Sequence, residues 1–161
     1  MKAEPFRSFI NPDDARFANP ESMVEAIQGY CRETGQPVPE TYQQPARCIF
    51  ESLAMRYRQV LGYLKELAPF PIEKLHVIGG GTYNTYLMQM AANSIGMPVL
   101  TGPVEGTAIG NIMLQAKAAG LVKDIFDMRR IIAQSIEMKT YQPQDSATWD
   151  KAYEKYLSVY K

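Results

Sequence analysis

The chain has 161 residues, and seventeen Lys and Arg balance seventeen Asp and Glu. That length, with 46% hydrophobic and 21% charged residues, fits one folded domain over residues 1–161 and argues against wholesale disorder. Balanced charge leaves no basic footprint for nucleic acid, no apolar run reaches the roughly 18 residues of a membrane span, and no charged-then-apolar leader opens the chain.

Residues 1–20 read as irregular, with turn chemistry at Asn11-Pro12-Asp13-Asp14. Phe6, Phe9 and Ile10 are candidates for one edge strand. Asn19-Pro20 reads as a helix start, with Met23, Ile27, Tyr30 and Cys31 at helical spacing and Gly35 as the stop. The clearest helix follows. Ala46, Ile49, Phe50, Leu53, Tyr57, Val60, Leu61 and Leu64 form one apolar stripe, Pro45 fits the first turn, and Pro69 and Pro71 end it. Such a stripe must cover something apolar.

Lys74–Ile78 is a short strand that runs straight into Gly79, Gly80 and Gly81. A helix opens near Asn84 with Leu87, Met90, Ala91, Ser94 and Ile95 on one face, and Gly96 ends it ahead of Pro98. Pro98–Thr101 is a second strand. Gly102-Pro103 leads to a helix from about Glu105, with Ile109, Ile112, Met113 and Ala116 inward and Gly120 as its cap. Asp124 starts another, with Ile125, Met128, Ile131 and Ile132 inward. Glu137–Tyr141 is a candidate extended segment, and a last helix from about Ser146 carries Trp149, Tyr153, Tyr156, Leu157 and Tyr160.

Helix, strand, helix, strand, helix over residues 46–120 is the order of a parallel α/β layer. Two strands are too few to cover the apolar stripes of about six helices, because a two-stranded sheet is marginal by itself. The arithmetic points to a piece of a larger protein or to a chain that completes its sheet by association.

A strand, a glycine turn and a helix make a phosphate-binding geometry, since glycines let backbone N–H groups approach an anion. The stretch 77–84 has that layout without the Gly-Lys-Ser/Thr of a P-loop. Asn84 stands where the dinucleotide fingerprint needs its third glycine. His76, the one histidine, reads as a packed strand residue, Glu105 as a structural carboxylate at a helix start, and Arg47 and Arg56 as a solvated face. Met88, Met90, Met97, Met113 and the tail aromatics read as core filling. Cys31 and Cys48 read as two packed thiols in a reducing cytoplasm, and no metal site is visible.

The segment from Gly79-Gly80-Gly81-Thr82-Tyr83-Asn84 to Ile95-Gly96-Met97-Pro98, with Gly102-Pro103-Val104-Glu105-Gly106-Thr107, resembles the C-terminal domain of the FGGY carbohydrate kinases. So do residues 6–20, 30–39 and 47–54, which extends the likeness over nearly the whole chain. The resemblance implies an α/β fold: a partial actin-like (ribonuclease-H-like) C-terminal half-domain, helix-rich with a small parallel sheet. It implies ATP with magnesium as cofactor and phosphorylation of L-rhamnulose to L-rhamnulose 1-phosphate. Carried over residue by residue, Gly79, Gly80, Gly81 and Asn84 would meet the nucleotide, Gly80 foremost. Tyr83 and Gly106 depart from the usual residues, and Tyr83 and Tyr86 should make the mouth of the loop bulkier. The catalytic base has no counterpart among Asp13, Asp14, Asp124, Asp127, Asp145 and Asp150, so the catalytic residue is unknown. The first lobe and the opening of the second should lie outside these residues, leaving the chain inactive alone. Its expected partners are a nucleotide and either the missing N-terminal kinase lobe or a second copy. The rival readings are a non-catalytic self-associating interaction module and, more weakly, a dinucleotide-binding domain.

Overall fold

The structure is a computed structural model and describes residues 3–160. Among these residues, six helices surround a three-stranded sheet of order β1-β2-β3. The chain enters through an irregular segment, turns at Asn11–Asp14, and forms α1 over Met23–Glu33. Ser22 rather than Asn19 caps α1: its hydroxyl accepts from the Glu25 N–H at 3.3 Å, so Pro20 lies outside the helix. Gly35, at φ +67°, closes α1 in the left-handed region where only glycine is free of Cβ strain.

The long helix α2 spans Gln43–Leu67 with Pro45 in its first turn, as the sequence predicts. Its buried face is only partly the predicted one: Leu61 is buried, and Ile49, Phe50 and Leu53 pack against the core. Cys48, Ser52, Met55 and Gln59 face inward with Glu51, while Tyr57, Val60 and Leu64 of the predicted stripe are exposed. The cause is the N-terminal segment, which forms no strand and instead lies against α2. Its backbone is satisfied by side chains. The Phe6 N–H donates to the Glu51 carboxylate at 2.8 Å and the Ile10 N–H to Ser52 Oγ at 2.9 Å. Gln36 clamps Phe9 from both sides, accepting its N–H at 2.8 Å and donating to its carbonyl at 2.7 Å. Buried amides left without partners would each cost roughly 1–3 kcal/mol, which explains polar residues on the inner face of a core helix. Arg47 is not solvated either: it is mostly buried, pairs with Glu51 at 2.7 Å and donates to the Ala3 carbonyl. Arg56 holds Asp13 and lies over the Tyr160 ring. Cys31 and Cys48 are free, buried neighbours in one apolar cluster with Ile27 and Tyr30.

β1 (Leu75–Val77) and β2 (Val99–Thr101) pair in parallel, with α3 (Thr85–Ile95) as the crossover. The segment Thr140–Tyr141 is β3 and joins β2 antiparallel, so the small sheet is mixed rather than purely parallel. α3 buries Leu87, Met88, Met90, Ala91, Ser94 and Ile95 between α2 and the sheet, and Gly96 ends it at φ +65°. α6 (Ser146–Val159) brings Trp149 and Tyr156 onto Phe9, Met55 and Met90.

α4 (Gly106–Ala118) and α5 (Ile125–Ser135) form a separate small cluster around Met113, Val122 and Met128. Here the inward assignments need correction. Ile112 and Ile125 point to solvent. The helical spacing is right, but among the described residues no second layer covers those faces. His76 is also exposed rather than packed, because one face of β1 is open.

Candidate nucleotide site

Two hydrogen bonds lace the loops that leave the carboxyl ends of β1 and β2. The Gly102 N–H donates to the Val77 carbonyl at 2.7 Å, and the Gly79 N–H donates to the Pro103 carbonyl at 3.0 Å. Ligands of open parallel sheets gather at this end of the strands. Gly79 has φ +89° and ψ −177°, a conformation essentially reserved for glycine. It redirects the chain into a 3-10 turn over Gly80–Tyr83, which the buried Thr82 pins by donating its hydroxyl to the Gly79 carbonyl at 2.8 Å.

That turn lifts Gly80 and Gly81 onto an exposed shoulder where an added Cβ would meet nothing within 4 Å. Their N–H groups begin the turn and so have no acceptor in it. Asn84 then caps α3, with its side-chain oxygen accepting from the Leu87 N–H at 3.0 Å, and its Nδ2 has no partner among the described residues. The four residues picked out by the sequence therefore sit on one corner at the start of α3. Tyr83 is exposed beside them, whereas Tyr86 turns away to pack edge-on against Phe50 of α2, 6.4 Å between ring centres. Only one of the two tyrosines crowds the mouth.

The structure adds a residue that sequence reasoning missed. Ile78, between strand and glycines, lies over the second loop. A Cβ on Gly102 would fall 2.8 Å from its Cγ2, and one on Gly106 would fall 3.3 Å from its Cδ1. Gly106 thus has a local reason: it seats Ile78. Beyond Ile78 an open apolar cleft of about 510 Å³ runs to α5, with His76 and Arg129 as its polar groups.

Among the described residues each of the six aspartates has a polar partner. Asp13 and Asp150 pair with Arg56 and Arg58, and Asp127 pairs with Arg130. Asp14 and Asp124 cap the 3-10 turn at Ala15–Phe17 and helix α5, and Asp145 accepts from the Thr148 hydroxyl at 2.7 Å. Glu105 stands at the start of α4, exposed and without a side-chain cap bond.

The domain description "FGGY family of carbohydrate kinases, C-terminal domain" matches residues 1–119. The chain is 62% identical over 150 residues to a rhamnulokinase of Bacteroides thetaiotaomicron, covering 93% of this chain and 31% of that protein. A Bacillus subtilis rhamnulokinase is 44% identical over 144 residues, covering 89% of this chain and 30% of that protein. The chain thus spans under a third of the length of these relatives. Among solved structures, xylulose kinase from Rhodospirillum rubrum superposes with a TM-score of 0.62 at 20% identity, over 78% of this chain and 26% of that one. Gluconate kinase from Lactobacillus acidophilus gives 0.58 at 23% identity, over 76% and 25%. Those two establish a shared fold, while the matches in sequence go further: this chain belongs to the FGGY family of carbohydrate kinases.

Proposed function

We propose that this chain supplies the nucleotide-holding part of a rhamnulokinase-type enzyme, which phosphorylates L-rhamnulose to L-rhamnulose 1-phosphate with ATP and magnesium. The observation that carries the reading is 62% identity to a rhamnulokinase across 93% of the chain. The glycine corner supports it independently. A shoulder without side chains, with open N–H groups at the start of a helix, suits an anionic ligand that approaches the backbone. In this reading the Gly80 and Gly81 N–H groups donate toward the α-phosphate side of the nucleotide. Asn84 Nδ2 donates to the nucleoside, and Gly79 holds the angle between strand and shoulder. ATP brings the phosphoryl group to be transferred, and catalysis of that transfer rests chiefly on positioning and charge stabilisation.

The remaining parts of the reaction belong elsewhere. The six aspartates are held in ion pairs, caps or, for Asp145, a bond from the Thr148 hydroxyl, and none stands in the glycine corner. Among the described residues no three of His, Cys, Asp or Glu gather to hold a metal, so magnesium would arrive with the phosphates. The base, the sugar contacts and the opposing lobe come from polypeptide outside these residues, and the chain alone turns over no sugar.

Titrating ATP and, separately, NAD into the purified chain tests the shelf. Saturable ATP binding that Gly80→Val weakens at least about tenfold, a loss on the order of 1.4 kcal/mol, supports the reading. NAD binding without ATP binding refutes it. Assaying the chain alone with L-rhamnulose and ATP tests the division of labour, because robust turnover would overturn it.

A further inference from the structure

Ile78 is a large apolar side chain at 64% exposure, so burial is not what it supplies. Its backbone is gripped instead. The Val77 carbonyl before it accepts from the Gly102 N–H at 2.7 Å, and the Gly79 N–H after it donates to the Pro103 carbonyl at 3.0 Å. Between these two bonds the Ile78 side chain rests on the second loop. A Cβ on Gly102 would fall 2.8 Å from Ile78 Cγ2, nearer than a real Cβ comes to another atom, and 4.0 Å from the Ile78 Cβ, an ordinary contact. A Cβ on Gly106 would fall 3.3 Å from Cδ1. The two glycines thus face different atoms. Gly102 faces the branch at Cβ, which is stiff, and Gly106 faces the free tip.

The shoulder follows at once. Gly79 turns at φ +89°, and its carbonyl accepts from the Thr82 N–H at 3.1 Å and from the Thr82 hydroxyl at 2.8 Å. Gly80 and Gly81 come next, exposed and with open N–H groups. Glycine has no side chain, so none of the three can fix the shoulder by packing. Ile78, next to them, does pack, on the loop after β2. A shift of its Cα passes to Gly79 through a rigid peptide plane, and an anion read by backbone N–H groups feels such a shift directly.

Resting on the nucleotide reading above, we infer that Ile78 is a positioning residue for the nucleotide: wedged on Gly102 and Gly106, it sets where the Gly80 and Gly81 N–H groups point. Gly102 is the matching half of the device, free of a side chain so that the wedge can seat. With the wedge seated, the shelf meets its ligand already ordered.

Calorimetric titration of magnesium ATP into the purified chain and its variants, with amide spectra of each recorded without nucleotide, tests this. Gly102→Ala should push the wedge off its seat, weaken ATP binding at least about tenfold and move the Gly80 and Gly81 amide signals. Ile78→Ala should leave the seat empty and weaken binding about threefold or more. The double variant should bind more tightly than either single one, because the added methyl then lies 4.0 Å from the Cβ that remains at position 78. Ile78→Val keeps Cγ2 and should not rescue Gly102→Ala. Parent-like affinity in Gly102→Ala overturns the inference, and so does a double variant that binds no better than Gly102→Ala, or rescue by Ile78→Val. Should Gly102→Ala not fold, Ile78→Ala decides alone, and parent-like affinity with parent-like Gly80 and Gly81 signals overturns the inference. If the parent binds no ATP, the nucleotide reading fails and the amide signals judge the wedge. Gly80 and Gly81 signals that move in each single variant and return toward the parent in the double variant support it, and unmoved signals overturn it.

Discussion

The two halves of this molecule are finished to different degrees. The body made by the N-terminal segment, α1, α2, α3 and α6 ties its entering segment down with internal hydrogen bonds and buries Phe9, Tyr30, Trp149 and Tyr156, although Arg7 Nε and the Tyr156 hydroxyl are buried without a hydrogen-bond partner. Phe9 and Tyr156 lie edge to face at 5.9 Å, and the Tyr30 hydroxyl donates to the Val159 carbonyl across 129 residues. The sheet with α4 and α5 has an open strand edge, exposed Ile78, Ile112 and Phe126, and a glycine corner with unspent N–H groups. The contrast teaches that a region can be well ordered locally and still be half of a surface. The closed body uses its polar groups on its own backbone, and the open half holds the exposed glycine corner and the unpaired strand edge.

Substitutions should separate the halves, and the largest effect belongs to the closed one. Phe9→Ala removes a fully buried ring from the main core and should cost about 3–5 kcal/mol in urea unfolding. Gly79→Ala forces a side chain into a glycine-only conformation, so a loss of about 1–3 kcal/mol is expected together with weaker ATP binding. Asp124→Ala removes the cap that accepts from the Phe126 and Asp127 N–H groups and should cost about 0.5–2 kcal/mol, confined to α5 by hydrogen exchange.

A pH series sharpens the same contrast. Burial holds the Glu51 carboxyl above its ordinary 4.5, against the pull of Arg47 and the Phe6 N–H. A carboxyl raised in the folded state contributes stability that is complete below the unfolded pKa and is lost as the pH rises through the folded one. Glu51→Gln should therefore flatten the fall in stability on the alkaline side of pH 4.5, as read by urea midpoints across the series. The smallest effect is predicted in the open half at Ile112 of α4, 62% exposed: Ile112→Ser should stay within about 0.5 kcal/mol of the parent.

Much of the fold is legible in the sequence, for physical reasons. Proline and glycine punctuate the chain, so α2, α3 and both parallel strands fall where Pro45, Pro69, Gly96 and Pro98 put them. The glycine corner is legible too, because three glycines between a strand and an asparagine-capped helix leave few conformations. The strand deficit can be counted from residues alone, and it returns as the open edge of β1. The inner face of α2 is not legible. Periodicity assumes that the buried face is the apolar one, whereas here Glu51 and Ser52 are buried to hold a strapped segment while Tyr57, Val60 and Leu64 of the stripe are exposed. The same assumption misplaces His76: a strand with one uncovered face looks, in sequence, like a buried strand. The role of Gly102 and Gly106 as the seat of Ile78 depends on a contact between loops far apart in the chain, which spacing cannot reveal.

The most direct test of the account is an amide chemical-shift titration of the isotope-labelled chain with magnesium ATP. The account predicts saturable shifts at Gly79, Gly80, Gly81 and Asn84, with small changes in the laced loop at Gly102–Gly106 and none in α1 or α6. Shifts that avoid the glycine corner and concentrate elsewhere, or no shift at any amide up to saturating nucleotide, would contradict it.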